Sequence, residues 1–437
     1  MKFAKTTALG LVLALGFAGA QPALAKKHDD KGADASKPDF SPAFRKAAQP
    51  LQKAIQAKDW AAAKAALPAA QAAASTPDDK YQTALMTLII AQGTNDVATQ
   101  RTAADAVIAS GKAPPEQLAQ ILDMKGRLDY NAGDMAGADA AFSRLVQLQP
   151  NNSGAIELLA AVKTREGQSN QALPLIDQAI QSTTAAGKKP DEDLIRRALS
   201  IAYDAKNPTE TVKYGQLLAT DYPSPEIWRI ALQTYRDTNH LNEQTNLDTM
   251  RLMRAAHALA GEQDYYEYAN LVSQKGYPGE AKAVIDEGMA SNQVDDKSVK
   301  TSKVLAEIRT AAGSKVAADK AVLPAQTKKA MAASTATLAL NTGDAYLGYG
   351  EYAQAVPLYQ AALTKSGADA NVINLHLGMA LALSHQTQAA DQAFAKVTGP
   401  NATLAKYWQI WNDQQGGATP AAAPAATPQP ATSTPGA

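Results

Sequence analysis

Small and apolar positions recur along this chain at a fixed interval, and the interval predicts helices. Between residues 119 and 181, Gly126 is followed 34 positions later by Ala160, Gly133 by Gly167, Ala138 by Ala172 and Leu145 by Ala179. A period of that size marks stacked helical hairpins. Two antiparallel helices approach closely only where the crossing side chains are small, as Gly126, Ala138, Ala160, Ala172 and Ala179 are. Gly133 and Gly167 stand where the first helix of each hairpin must end in a left-handed residue, which glycine adopts at little cost. Pro150 cannot continue the second helix and closes the unit. Later in the chain a shift of 35 maps Gly343 to Gly378, Ala355 to Ala390, Tyr359 to Phe394 and Ala362 to Val397, with the extra residue in the Ser366-Gly367 loop.

The same reading extends to the rest of the chain. Helices are expected at 43–57 and 61–74, with Pro68 as a kink, and at 78–92, where Tyr81, Leu85, Leu88 and Ile89 share one side. A helix over 96–110 returns, and Pro114-Pro115 opens the next unit. After a longer loop at 182–190, the acids Asp191, Glu192 and Asp193 complement the positive end of a helix over 194–205. A return over 212–219 and a hairpin of 265–275 with 281–289 follow. Residues 294–329 break the pattern: they are rich in Lys and Asp, a helix is expected over 298–312 but matches the repeat poorly, and Pro324 is read as a helix breaker. That segment reads as a divergent unit or an inter-array helical spacer whose lysines form a solvated face. A last helix over 402–411, carrying Trp408, is expected to cap the apolar end of the stack.

At this point the chain resembles the tetratricopeptide repeat family, whose pattern runs W-x2-L-G-x2-Y…A-x3-F…P. The unit at 119–150 carries the glycine as Gly126, the A-x3-F pair as Ala138 and Phe142, and Pro150. It departs at Leu122, Lys125 and Asp129, which replace the Trp, Leu and Tyr. Trp228 and Tyr235 have the family's W…Y spacing, and Tyr346, Tyr352 and Tyr359 fall on packing positions. The resemblance covers roughly 43–412 and implies an all-α, right-handed α-solenoid of about seven or eight helix-turn-helix hairpins. The expected division is 1–25, 26–41, an array at 42–293, the spacer at 294–329, further repeats with a cap at 330–412, and an Ala/Pro/Thr tail at 413–437 without a core.

Composition narrows the function. With 42 basic and 42 acidic residues the chain has no bulk attraction for nucleic acid or anionic membrane. Without cysteine it has no disulfide, thiolate nucleophile or Cys-based zinc site. Lys2 and Lys5 precede an apolar run at 8–20 and then Ala23-Leu24-Ala25, the form of a secretory signal cleaved after Ala25. A membrane anchor is the other reading of that run, which falls short of the ~20 residues a spanning helix needs. A bacterial envelope compartment follows as an expectation, periplasmic or secreted. The mature chain would begin Lys26-Lys27-His28, where the amine, two amides and the imidazole of His28 have the geometry for Cu(II) or Ni(II). A histidine by chance in a solvated tail is the plainer account.

No nucleophile elbow, zinc-helix, phosphate-loop or dinucleotide motif is present. The five histidines never pair at ligand spacing on a helix, and His376 reads as a packing or surface residue. The expectation is a non-catalytic chain with no cofactor. In the family it resembles, the first helix of each hairpin lines a concave face. That places Arg229, Gln233 and Arg236 on one stripe, Tyr266, Asn270 and Gln274 on the next, and Asp123, Arg127 and Tyr130 upstream. These types suit peptide recognition, though each also serves as an ordinary surface residue of an amphipathic helix. The family's Lys and Asn carboxylate clamp is not carried over, because Asp123 and Arg127 stand at those places. The expected function is a protein-binding scaffold of the envelope. Two rivals are an export accessory that stacks sugars on Trp228 and nearby tyrosines, and an enzyme with a pocket around 294–329.

Overall fold

A computed structural model of the chain describes residues 38–294 and 300–416. The signal-like segment, His28 and the tail beyond 416 lie outside the described residues. The fold is all-α, an α-solenoid of consecutive helix pairs, with no strand among the described residues. Contacts divide the chain into two compact units at Leu194 and Ile195.

The first unit holds four hairpins: α1 (Pro42–Gln56) with α2 (Trp60–Ala73), α3 (Pro77–Gly93) with α4 (Val97–Ser110), α5 (Pro115–Ala132) with α6 (Met135–Leu148), and α7 (Ser153–Arg165) with α8 (Ser169–Ala185). Its chain starts tightly capped. Ser41 Oγ accepts from the Phe44 amide at the start of α1 and donates to Asp79 Oδ2 at 2.7 Å. Buried Asp79 also accepts from the amides of Ser75 and Thr76, closing a capping box on α3. Burial alone would raise its pKa, but these hydrogen bonds outweigh it and hold the group at about 2. Pro50, Pro68 and Pro174 sit inside α1, α2 and α8 without ending them.

The predicted crossings pack as the spacing requires. A Cβ on Gly126 would overlap the Phe142 ring, and one on Gly378 would overlap Phe394. Gly133 caps α5 at φ +83°, the left-handed turn its position called for.

After α9 (Glu192–Asp204), the second unit continues with α10 (Pro208–Asp221), α11 (Pro225–Thr238), α12 (Glu243–Ala255) and the hairpin of α13 (Gly261–Gln274) with α14 (Pro278–Ala290). Then come α15 (Lys300–Ala332), the hairpins α16 (Ala336–Gly348) with α17 (Tyr352–Ala362) and α18 (Ala370–Leu383) with α19 (Thr387–Phe394), and α20 (Ala402–Gly416).

Two expectations change here. The segment read as a spacer with a helix at 298–312 is one helix of 33 residues running through Pro324. The missing proline amide removes one hydrogen bond, but Leu305, Ala312, Leu323 and Ala330 are buried along the same helix and hold it. α20 also does more than cap the last hairpin, and it extends to Gly416 rather than ending near 412. It packs back on α10, α12 and α18, and its Tyr407 and Trp408 are both fully buried. Tyr407 lies 5.6 Å from the Tyr235 ring and 6.3 Å from that of Trp228. The second unit is therefore closed by its own last helix.

Candidate functional site

The residues expected to line a groove take different roles. Arg229 and Arg236 reach from α11 to α13, where they pair with Asp264 and Glu267. Arg229 also donates to the Ala258 carbonyl at 3.2 Å, and Arg236 Nε to Asn246 at 2.8 Å. Both guanidinium groups hold neighbouring helices together. Gln233 donates to Asp237 at 2.9 Å along its own helix. On α13, by contrast, half-buried Asn270 and exposed Gln274 make no side-chain hydrogen bond among the described residues, and Tyr266 lies half-buried beside them. In the first unit Arg127 Nε pairs with Asp123 at 2.9 Å, while Tyr130 is buried beneath the Arg165 guanidinium at 4.9 Å.

Trp228, expected to offer a face to sugars, is 3% exposed and covered edge-on by Tyr407, so no ring can stack on it. Tyr359 is wholly buried and Tyr346 nearly so, as packing positions require.

The densest chemistry in the second unit left little trace in the sequence. A chain of buried polar side chains crosses six helices. On α18, His376 donates from Nδ1 to Asp344 of α16 at 2.7 Å and from Nε2 to Asp248 of α12 at 3.1 Å. Tyr359 of α17 donates to Asp344 at 2.8 Å. From Asp248 the chain continues through Arg251, whose Nη1 lies at 2.9 Å, and on to Glu280 of α14 at 2.7–2.9 Å. Tyr268 of α13 closes it by donating to Glu280 at 2.8 Å. None of these seven side chains is more than a few per cent exposed.

Burial alone would lower the His376 pKa, but the carboxylates of Asp344 and Asp248 outweigh it and raise it to about 10. Burial would likewise raise both aspartates, and the facing His376 instead holds them below the usual carboxylate range. A histidine clamped in this way is already protonated at neutral pH and offers no base. The cluster ties together six helices of the second unit. One sequence signal pointed to it: between Ile373 and Leu383, His376 is the lone ionisable residue in an apolar run, and such a group is buried only with partners.

Two cavities flank this network. The smaller, about 320 Å³, is bordered by Asp344, His376, Tyr277, Lys275 and Gln244. The larger, about 690 Å³, has Arg251, Glu280 and Tyr268 on its floor and Tyr349, Tyr352 and Met379 among its walls. Its size lies within the range of small-ligand sites. Among the described residues, the polar groups of this network lie on α12, α13, α14, α16, α17 and α18.

No protein-family model matches the chain, and no curated protein matches it. Among solved structures, a tetratricopeptide repeat protein from Parabacteroides merdae is 14% identical with a TM-score of 0.31, over 69% of this chain and 99% of that one. The Naa15/Naa10 complex bound to HypK-THB is 11% identical with a TM-score of 0.30, over 85% of this chain and 73% of that one. A signal-transduction ATPase with a tetratricopeptide repeat sensor from Pyrococcus horikoshii is 12% identical with a TM-score of 0.21, over 77% and 42%. At these identities and scores none of them says what this chain binds.

Proposed function

We propose that this chain is a non-catalytic scaffold that binds a protein partner, acting in the bacterial envelope after removal of residues 1–25. The observation that carries the reading is the face of α13. Tyr266, Asn270 and Gln274 follow one another at four-residue spacing, a half-buried ring beside two amides with no hydrogen bond of their own among the described residues. An amide pair of this kind suits a partner's backbone, and the tyrosine suits an apolar anchor. Arg229 and Arg236 support the face through Asp264 and Glu267 and are not its recognition groups. The envelope location is supported by the Lys2/Lys5, apolar-run and Ala23-Leu24-Ala25 pattern.

The test is crosslinking and pull-down from envelope extracts with the wild type and the triple variant Tyr266→Ala, Asn270→Ala, Gln274→Ala, matched for helicity by circular dichroism. A partner captured by the wild type and lost at least tenfold in the variant is the expected result. Equal capture by both proteins would remove this face from the reading. Mass spectrometry of the mature N-terminus checks the location, and a chain that retains residues 1–25 would refute it.

A further inference from the structure

We infer that the larger cavity of the second unit is a binding site for a free α-amino acid with a bulky apolar side chain. Along one wall, Arg254 Nε donates to Glu287 Oε2 at 2.7 Å. The pair is partly exposed, 29% for Arg254 and 36% for Glu287, and both side chains line the cavity. A cation and an anion in contact, both lining the same cavity, match a ligand that carries both charges close together. An α-amino acid holds its carboxylate and ammonium on one carbon, so the carboxylate meets Arg254 while the ammonium meets Glu287.

Charge balance points the same way. Arg251 is paired with Glu280 on the floor and Arg254 with Glu287 on the wall, so the lining is neutral and favours a ligand of zero net charge. The remainder of the lining sets the side chain. Leu259, Leu347, Met379 and Leu383 are apolar, and half-buried Tyr352 stands beside them. The volume of about 690 Å³ admits the largest natural side chains. Exposed His257, Ser291 and Gln293 line the same cavity and mark its opening to solvent. The floor is rigid because Arg251, Glu280 and Tyr268 belong to the buried network, which orders the site before a ligand arrives. This site is separate from the α13 face, since Tyr266, Asn270 and Gln274 do not line it.

Isothermal titration of the full chain with L-phenylalanine and L-leucine tests the inference, alongside N-acetyl-L-phenylalanine, L-phenylalaninamide and the dipeptide Leu-Phe. Each blocked form lacks one charge, and the dipeptide carries its charges too far apart to meet one ion pair. The free amino acids should bind at least tenfold more tightly than all three. Arg254→Met and Glu287→Gln should each reduce that binding at least tenfold. Ala283→Phe, which fills the cavity from one helical turn before Glu287, should abolish it. The α13 triple variant should bind as the wild type does. Failure of both amino acids to bind, or equal binding of the blocked forms to the wild type, would overturn the proposal. The second comparison requires no variant to fold.

Discussion

His376 carries one of the largest single-residue effects expected in the second unit. It is 1% exposed and faces two carboxylates, so its removal leaves Asp344 buried without its paired cation and Asp248 with Arg251 alone. Breaking a buried pair this way costs about 3–5 kcal/mol, and urea unfolding of His376→Ala followed by circular dichroism should show a loss of that size. The same residue sets a pH dependence. An unfolded histidine titrates near ~6.5, whereas His376 in the fold titrates at about 10. Because the folded value is the higher one, its contribution is fully present below ~6.5 and is lost as pH rises through about 10. Stability of the wild type should therefore fall between neutral pH and pH ~10, and in His376→Gln it should fall distinctly less over that window. A wild type and variant with parallel curves would contradict the charged assignment. Other residues were readable in advance. Gly126 with Phe142, Gly343 with Tyr359 and Gly378 with Phe394 share one 16-residue offset, because each pair is the crossing inside one hairpin. His376 and Asp248 are 128 positions apart, and no periodicity relates them.

At the scale of elements, local chemistry fixed most boundaries. Asp59, Asp96, Asp134 and Asn152 each accept a hydrogen bond from the backbone at the start of their helices, and short polar residues before an apolar run are visible in any sequence. One exception is α15. Its repeat spacing is lost and Pro324 reads as a stop, yet one helix spans Lys300–Ala332 because a sparse row of buried residues runs its length. Proline in a helix interior costs about 3 kcal/mol, against which it restricts the unfolded chain by up to about 1 kcal/mol. Pro324→Ala should therefore raise stability by about 2 kcal/mol, read as a higher urea midpoint with an unchanged slope. A lower midpoint would show that the proline shapes a packing the helix requires.

For the second unit as a whole, closure is the property that the sequence did not disclose. The repeat pattern predicts each hairpin against the next, whereas α20 bonds to residues far earlier: Gln414 donates to the Ala219 carbonyl at 2.7 Å, and Trp228 donates to Gln414 at 3.3 Å. Trp408 is wholly buried and stacks on Phe394 at 6.3 Å. Trp408→Ala should cost about 3–5 kcal/mol and should raise amide hydrogen exchange in α10 and α12 as well as in α19. Protection lost in α19 alone would mean that α20 is only an end cap. The candidate ligand site was hidden for the same reason, since its walls come from helices as distant in sequence as α12 and α18.

The seven-residue polar chain also constrains how this protein can change. Replacing a whole buried ionic cluster with well-packed apolar residues is often neutral or even favourable, whereas losing one member strands the charge of its neighbour. Asp248, Arg251, Glu280, Asp344 and His376 therefore occupy a position from which every single step leads downhill in stability, although a simplified core lies at the far side. Descendants of this sequence should keep all five or none, and intermediates that retain two or three should be rare.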